Sequence, residues 1–194
     1  MIAKNSAKIV FIVSFVLIIL CSCARPTVPK PYGYVRITLP DTAYSVYSGS
    51  MPFRFALSQH AQVQVRNDAN GGQWLDICYP SLNATIHGSY FPIHDDLDML
   101  TNDAVKLVYK HVVQATAIPE QAFENSQAQV YGVLFNIQGN TASPYQFFVT
   151  DSVKHFFRAS LYCECRPNAD SLAPVYEYLE HDIRRLIESW QWVK

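Results

Sequence analysis

From Tyr34 onward apolar and polar residues alternate in short runs, each closed by a turn-forming residue, and this two-residue period predicts strands. Val35, Ile37 and Leu39 alternate with Arg36 and Thr38, and Pro40 ends the run. Further strands are predicted at residues 53–57, 61–66, 74–79 and 85–90, bounded by Gly, Pro, Asn or Ser. Asn70-Gly71-Gly72 is a strong turn signal, so the second and third of these form a hairpin. The period then changes. Leu97, Leu100, Ala104, Leu107, Val108, His111 and Val112 recur at three and four, predicting an amphipathic helix over 96–115 with His111 as a core histidine. Asp95, Asp96 and Asp98 suit its positive N-terminal end. After Pro119 strands are predicted at 129–138, 145–149 and 155–165, with Gly139-Asn140 as the turn between the first two. A second helix follows over 172–190, capped by Asp170 or Ser171, with Pro174 in its first turn. Val175, Leu179, Ile183, Leu186 and Trp190 form its buried stripe, and Trp190 and Trp192 read as core anchors. Strands grouped on either side of one helix, with another closing the chain, give an α+β class: a mainly antiparallel β-sheet packed by helices.

The first residues follow different rules. Lys4 and Lys8 precede an apolar run over 9–20, the charged-then-apolar order of an export signal. That run is shorter than the roughly 20 residues a membrane-spanning helix needs. Residues 1–22 therefore read as a signal peptide. Ser22 directly before Cys23, with Leu20 three positions ahead of it, resembles the lipid-attachment motif of bacterial lipoproteins, which makes Cys23 the acylated first residue of the mature chain. Acyl chains such as palmitate contribute about 0.8 kcal/mol per buried methylene, so a multiply acylated cysteine holds a folded body firmly on a bilayer. Pro26, Pro29 and Pro31 make 23–33 an extended spacer. Residues 34–194 are left for one globular domain, a length that supports a sizeable core.

Two of the 15 Lys and Arg lie in the signal and none of the 16 Asp and Glu, so the mature chain carries 13 basic against 16 acidic residues, a net charge of −3. A mild balance without a basic block excludes nucleic acid as the natural partner and leaves the lipid as the membrane tether. Cys78, Cys163 and Cys165 remain beyond Cys23. They read mainly as small buried hydrophobes, with a bridge from Cys78 to Cys163 or Cys165 as the alternative; no metal-ligand spacing is present.

Three segments are denser in polar groups than their strands require: Asn83, Thr85 and His87; the turn containing Asn140; and Thr150, Asp151, Lys154, His155 and Arg158. Short polar side chains between strands are first of all turn formers. His87 can pair with Asp151 or with Asp76, and Ser152 beside His155 needs a bend to act as nucleophile and base. No Gly-x-Ser-x-Gly elbow, His-Glu-x-x-His or phosphate-cradling loop occurs. The three segments are the candidate partner or ligand surface, with catalytic residues and cofactors assigned as none.

Lys30-Pro31-Tyr32-Gly33-Tyr34-Val35-Arg36-Ile37-Thr38-Leu39-Pro40, Asn83-Ala84-Thr85-Ile86-His87, Tyr109-Lys110-His111, Val130-Tyr131-Gly132, residues 150–158 and 167–175 resemble the GldD gliding-motility lipoproteins of Bacteroidetes. Gly88 stands where the resemblance implies a larger residue. The resemblance implies a lipid-anchored envelope protein needed for gliding motility and type IX secretion. The expected partners are the membrane and other envelope gliding or secretion proteins, and the expected location is the outer membrane facing the periplasm. It implies no catalytic residues. The order of elements is similar to a PsbP/Mog1-like α/β/α sandwich. The expected role is a non-enzymatic assembly or scaffold component; the alternative is a periplasmic envelope hydrolase or glycan-binding protein using His87, Asp151, His155 and Arg158.

Overall fold

The computed structural model describes residues 38–67, 72–110 and 113–193. The signal segment, Cys23, the proline-rich spacer, Val35 to Ile37, the Asn70-Gly71 turn and His111 lie outside the described residues. Seven strands form one antiparallel sheet in the order β3-β4-β5-β11-β10-β8-β7. They are β3 (Gln62–Asn67), β4 (Gln73–Tyr79), β5 (Ala84–Pro92), β7 (Glu120–Asn125), β8 (Val130–Asn136), β10 (Tyr145–Thr150) and β11 (His155–Cys163). A smaller sheet joins β1 (Tyr44–Ser48), β2 (Phe53–Ser58) and β12 (Gln191–Trp192), and β6 (Ala115–Ala117) pairs with β9 (Gln138–Gly139). The helices among the described residues are α1 (Leu97–Tyr109) and α2 (Ala169–Glu188).

Strand alternation divides the apolar residues between the two sides of the large sheet. Leu75, Ile77, Ile86, Phe147, Phe157 and Leu161 point to one side, where they meet Phe53 and Phe55 of β2, Leu179 and Ile183 of α2, and Trp190. Phe135, Phe148 and Phe156 point to the other, under Ala104 and Val108 of α1. Burying each large apolar side chain contributes about 1.5–3 kcal/mol, so the first side dominates stability. Gly88 fits this scheme: a Cβ there would collide with the Phe157 ring and come within 2.9 Å of the Leu75 carbonyl. The larger residue implied at Gly88 has no room because Phe157 fills the space.

Several boundaries differ from the periodic reading. The α1 helix stops at Tyr109, because Ala115 turns into β6 to pair with Gly139. The α2 helix begins at Ala169 rather than Leu172. Asn168 Oδ1 accepts from the Ser171 N–H at 3.2 Å, and Asn140 Oδ1 accepts from the Ala169 N–H at 2.8 Å. Two side-chain acceptors thus satisfy the helix start one turn early, and Pro174 falls inside the helix. Thr38 and Leu39 carry no strand, whereas Tyr44–Ser48 does. The Tyr44 hydroxyl donates to buried Asp182 on α2 at 2.6 Å, and desolvation followed by that carboxylate pushes the phenol well above its ordinary range.

Candidate functional site

The α1 helix packs on β10 and β11, with Phe91 at the end of β5 against the same cluster, and among the described residues no helix packs extensively on the rest of its side of β3-β4-β5. Here Asp76 sits opposite His87 in the β4–β5 ladder and opposite Gln64 in the β3–β4 ladder. Its carboxylate accepts from the Arg66 guanidinium at 2.5 Å and meets His87 Nδ1 at 2.8 Å. The Asp76 side chain is 10% exposed, while those of Arg66 and His87 are 62% and 49% exposed. A buried acid is thus held by two partners that reach into solvent. Tyr162 lies against His87 with ring centroids 5.7 Å apart, and half-buried Trp74, Thr85 and Ser89 alternate to the same side. Arg158, one strand over, stacks above Phe91 at 5.2 Å, and burial pulls its guanidinium below the usual range.

The other polar segments lie elsewhere. Asn83 is exposed, takes a left-handed conformation after the short helical turn Pro80–Leu82, and its carbonyl accepts from the Glu164 N–H at 2.7 Å. Asn140 caps α2, as described above. Asp151 closes the β10–β11 turn: one carboxylate oxygen accepts from the N–H groups of Val153, Lys154 and His155 at 2.9, 2.8 and 2.8 Å. Burial alone would raise the Asp151 pKa, but the three donors outweigh it and hold the carboxyl below its ordinary value. Thr150 Oγ1 donates to the His155 carbonyl and accepts from the Ser152 N–H, so both residues are turn formers. His155 Nδ1 is engaged by the Tyr90 hydroxyl at 2.6 Å.

His87 and Arg158 project toward the α1 side, and His155 toward the α2 side with Phe157. The four residues named for a hydrolase therefore do not converge. Cys78, Cys163 and Cys165 are free thiols. Strand alternation sends Cys78 and Cys163 to opposite sides of the sheet, which rules out the first bridge geometrically, and Cys165 lies beyond the strand end, exposed rather than buried. Burial, then the neighbouring Cys165, pushes the Cys163 thiol up to about 11, which leaves it protonated and unreactive at neutral pH. Among the described residues no group of three His, Cys, Asp or Glu side chains is placed to hold a metal ion, and no helix is long and apolar enough to cross a membrane.

Sequence reasoning weighed Asp76 only as a partner for His87 and did not include Arg66. The hairpin register would have brought all three to one side of the sheet. It also missed a groove of about 1180 Å³ at the sheet end where the β7–β8 and β10–β11 turns meet the C-terminal strand. Asp151, Lys154 and His155 line it together with Trp192 and four amide side chains. The family profile described as gliding motility lipoprotein GldD matches residues 24–192. No curated protein matches the chain.

Proposed function

Because the chain belongs to the gliding motility lipoprotein family GldD, we propose that it is a lipid-anchored, non-enzymatic assembly component of the gliding apparatus and of type IX secretion. Family membership implies a part in gliding motility and association with the envelope. In this reading residues 1–22 are removed, Cys23 carries the acyl chains, 23–33 spaces the domain from the outer membrane, and residues 34–194 face the periplasm. The domain docks another envelope protein on the half of the sheet that carries no extensively packed helix among the described residues. One observation carries this: the Arg66–Asp76–His87 cluster, flanked by Trp74 and Tyr162, stands on a sheet surface that α1 leaves open. Trp, Tyr and Arg are the side chains enriched in interface cores, where they supply most of the binding energy. Asn83, Thr85 and Arg158 lie on or beside these strands, whereas Asp151, Lys154 and His155 line the groove at the sheet end.

The test is photo-crosslinking in living cells from Gln64 or Thr85, with Met99 on the exposed side of α1 as the control position. Capture of one envelope protein from the first two positions and not from Met99, weakened by Arg66→Glu at unchanged abundance, is the expected result. Normal gliding and secretion in a deletion strain would remove the role, and capture from Met99 alone would move the docking surface.

A further inference from the structure

We propose that the groove at the sheet end is a binding site for a neutral oligosaccharide, a property independent of the docking surface. Its base holds an aromatic pair, Trp192 and His155, with ring centroids 5.1 Å apart and planes 19° from parallel. Two of the pair's three ring nitrogens are already engaged: Trp192 Nε1 donates to the Gln129 carbonyl at 3.0 Å, and His155 Nδ1 meets the Tyr90 hydroxyl. What the pair offers beyond His155 Nε2 is ring surface. Around it stand Asn125, Gln127, Gln129 and Gln191, all exposed. A primary amide both donates and accepts, which matches a hydroxyl group, while ring surface matches the C–H face of a pyranose.

Other ligand classes fit worse. A volume of about 1180 Å³ lies just above the roughly 300–1,000 Å³ of sites that bind a drug-sized molecule, which is room for several linked sugar rings. Lys154 is the one cation among the lining residues and Asp151 the one acid, which gives nothing for a polyanion to neutralise. Strand β12 is two residues long, too short to template an added peptide strand. The groove is also built rigidly. Gln129 and Ser152, in the two turns that frame it, hold left-handed backbone at φ 52° and 66°, an arrangement that costs about 1–3 kcal/mol for such residues and persists only where surrounding contacts enforce it. In both turns that conformation serves the groove: it aims the Gln129 carbonyl at the Trp192 indole, and it closes the Asp151 turn that carries Lys154.

The experiment titrates the full lipoprotein, in a detergent without a sugar headgroup, with hexamers of β-1,4-linked N-acetylglucosamine and of β-1,4-linked glucose. Calorimetry and tryptophan fluorescence are read together. Saturable binding of at least one hexamer is expected, weakened about tenfold in Trp192→Ala, the loss that follows truncation of an aromatic anchor. Because Trp192 also packs on Phe53, Gln127→Ala in the exposed turn is the second variant, with about threefold weaker binding and an unchanged melting temperature. The proposal is overturned if neither hexamer binds, if Gln127→Ala binds as tightly as the parent, or if an extended hexapeptide saturates the groove in their place.

Discussion

The two sides of the seven-stranded sheet differ in how completely they are closed. On the α2 side Trp190 is the hub of an aromatic stack, with its ring 4.4 Å from Phe53, 5.0 Å from Phe157 and 5.3 Å from Phe55. On the α1 side a smaller group around Phe135, Phe148 and Phe156 is covered, and the rest of that side carries Arg66, Asp76 and His87 on β3, β4 and β5 and Tyr162 toward the end of β11. Both sides are built from the same strands, residue by residue in alternation. Stability is concentrated on one side, which leaves the other free to carry groups whose value is contact with something outside the chain.

The largest challenge to that contrast is Trp190→Ala. Removing a fully buried indole is expected to cost about 3–5 kcal/mol in urea unfolding; a loss under about 1 kcal/mol would show that the α2 side tolerates a hole and erase the distinction. Next comes Gly88→Val, which drives a side chain into the Phe157 ring. A cost of about 1–3 kcal/mol is expected, partly recovered in the double variant with Phe157→Leu; strict additivity of the two changes would show that they do not act through one contact.

Asp151→Asn tests the turn by the groove and is expected to cost about 1–2 kcal/mol at neutral pH. Its carboxyl is held below its ordinary 3.8 in the folded chain, so its contribution is complete above that value and fades as pH falls through the folded pKa. Acidification below pH 4 or so should therefore lower the melting temperature of the parent more than that of the variant. The smallest effect belongs to Arg66→Ala. With 62% of that side chain exposed, unfolding free energy should change by no more than about 1 kcal/mol, while partner capture from Gln64 falls. A large stability loss would mean that the α1 side, too, is maintained for folding.

Much of the sheet was legible because burial writes itself into alternation. The strands β2, β3, β4, β5, β8, β10 and β11 all lie where apolar residues recur or run together, and α2 where they recur at three and four. The strands β1, β6 and β7 were not legible. In β7, Glu120–Asn125, only Phe123 is half-buried; ladder bonds to β8 make it a strand, and hydrogen bonding leaves no mark on hydropathy. The early start of α2 was hidden for a related reason, since Asn140 caps it across a gap of 29 residues. The same holds for function. His87 was visible with Asp76 as a candidate partner, because the two lie on successive strands that alternation predicts, 74–79 and 85–90. The groove depends on Gln129 meeting Trp192, 63 positions apart, which only the folded chain reveals.

The C-terminal strand has a practical consequence. Gln191 and Trp192 pair with Arg54 and Phe53, and the Val193 N–H donates to the Pro52 carbonyl at 2.9 Å. A handful of residues thus buckles the strand that follows α2 over the Trp190 stack, beside the groove. Loss of Gln191 to Val193 would undo the buckle while leaving both helices whole. A fluorescent reporter placed directly after this strand would pull on it, so a flexible spacer belongs between the two in any strain built to follow the protein in live cells.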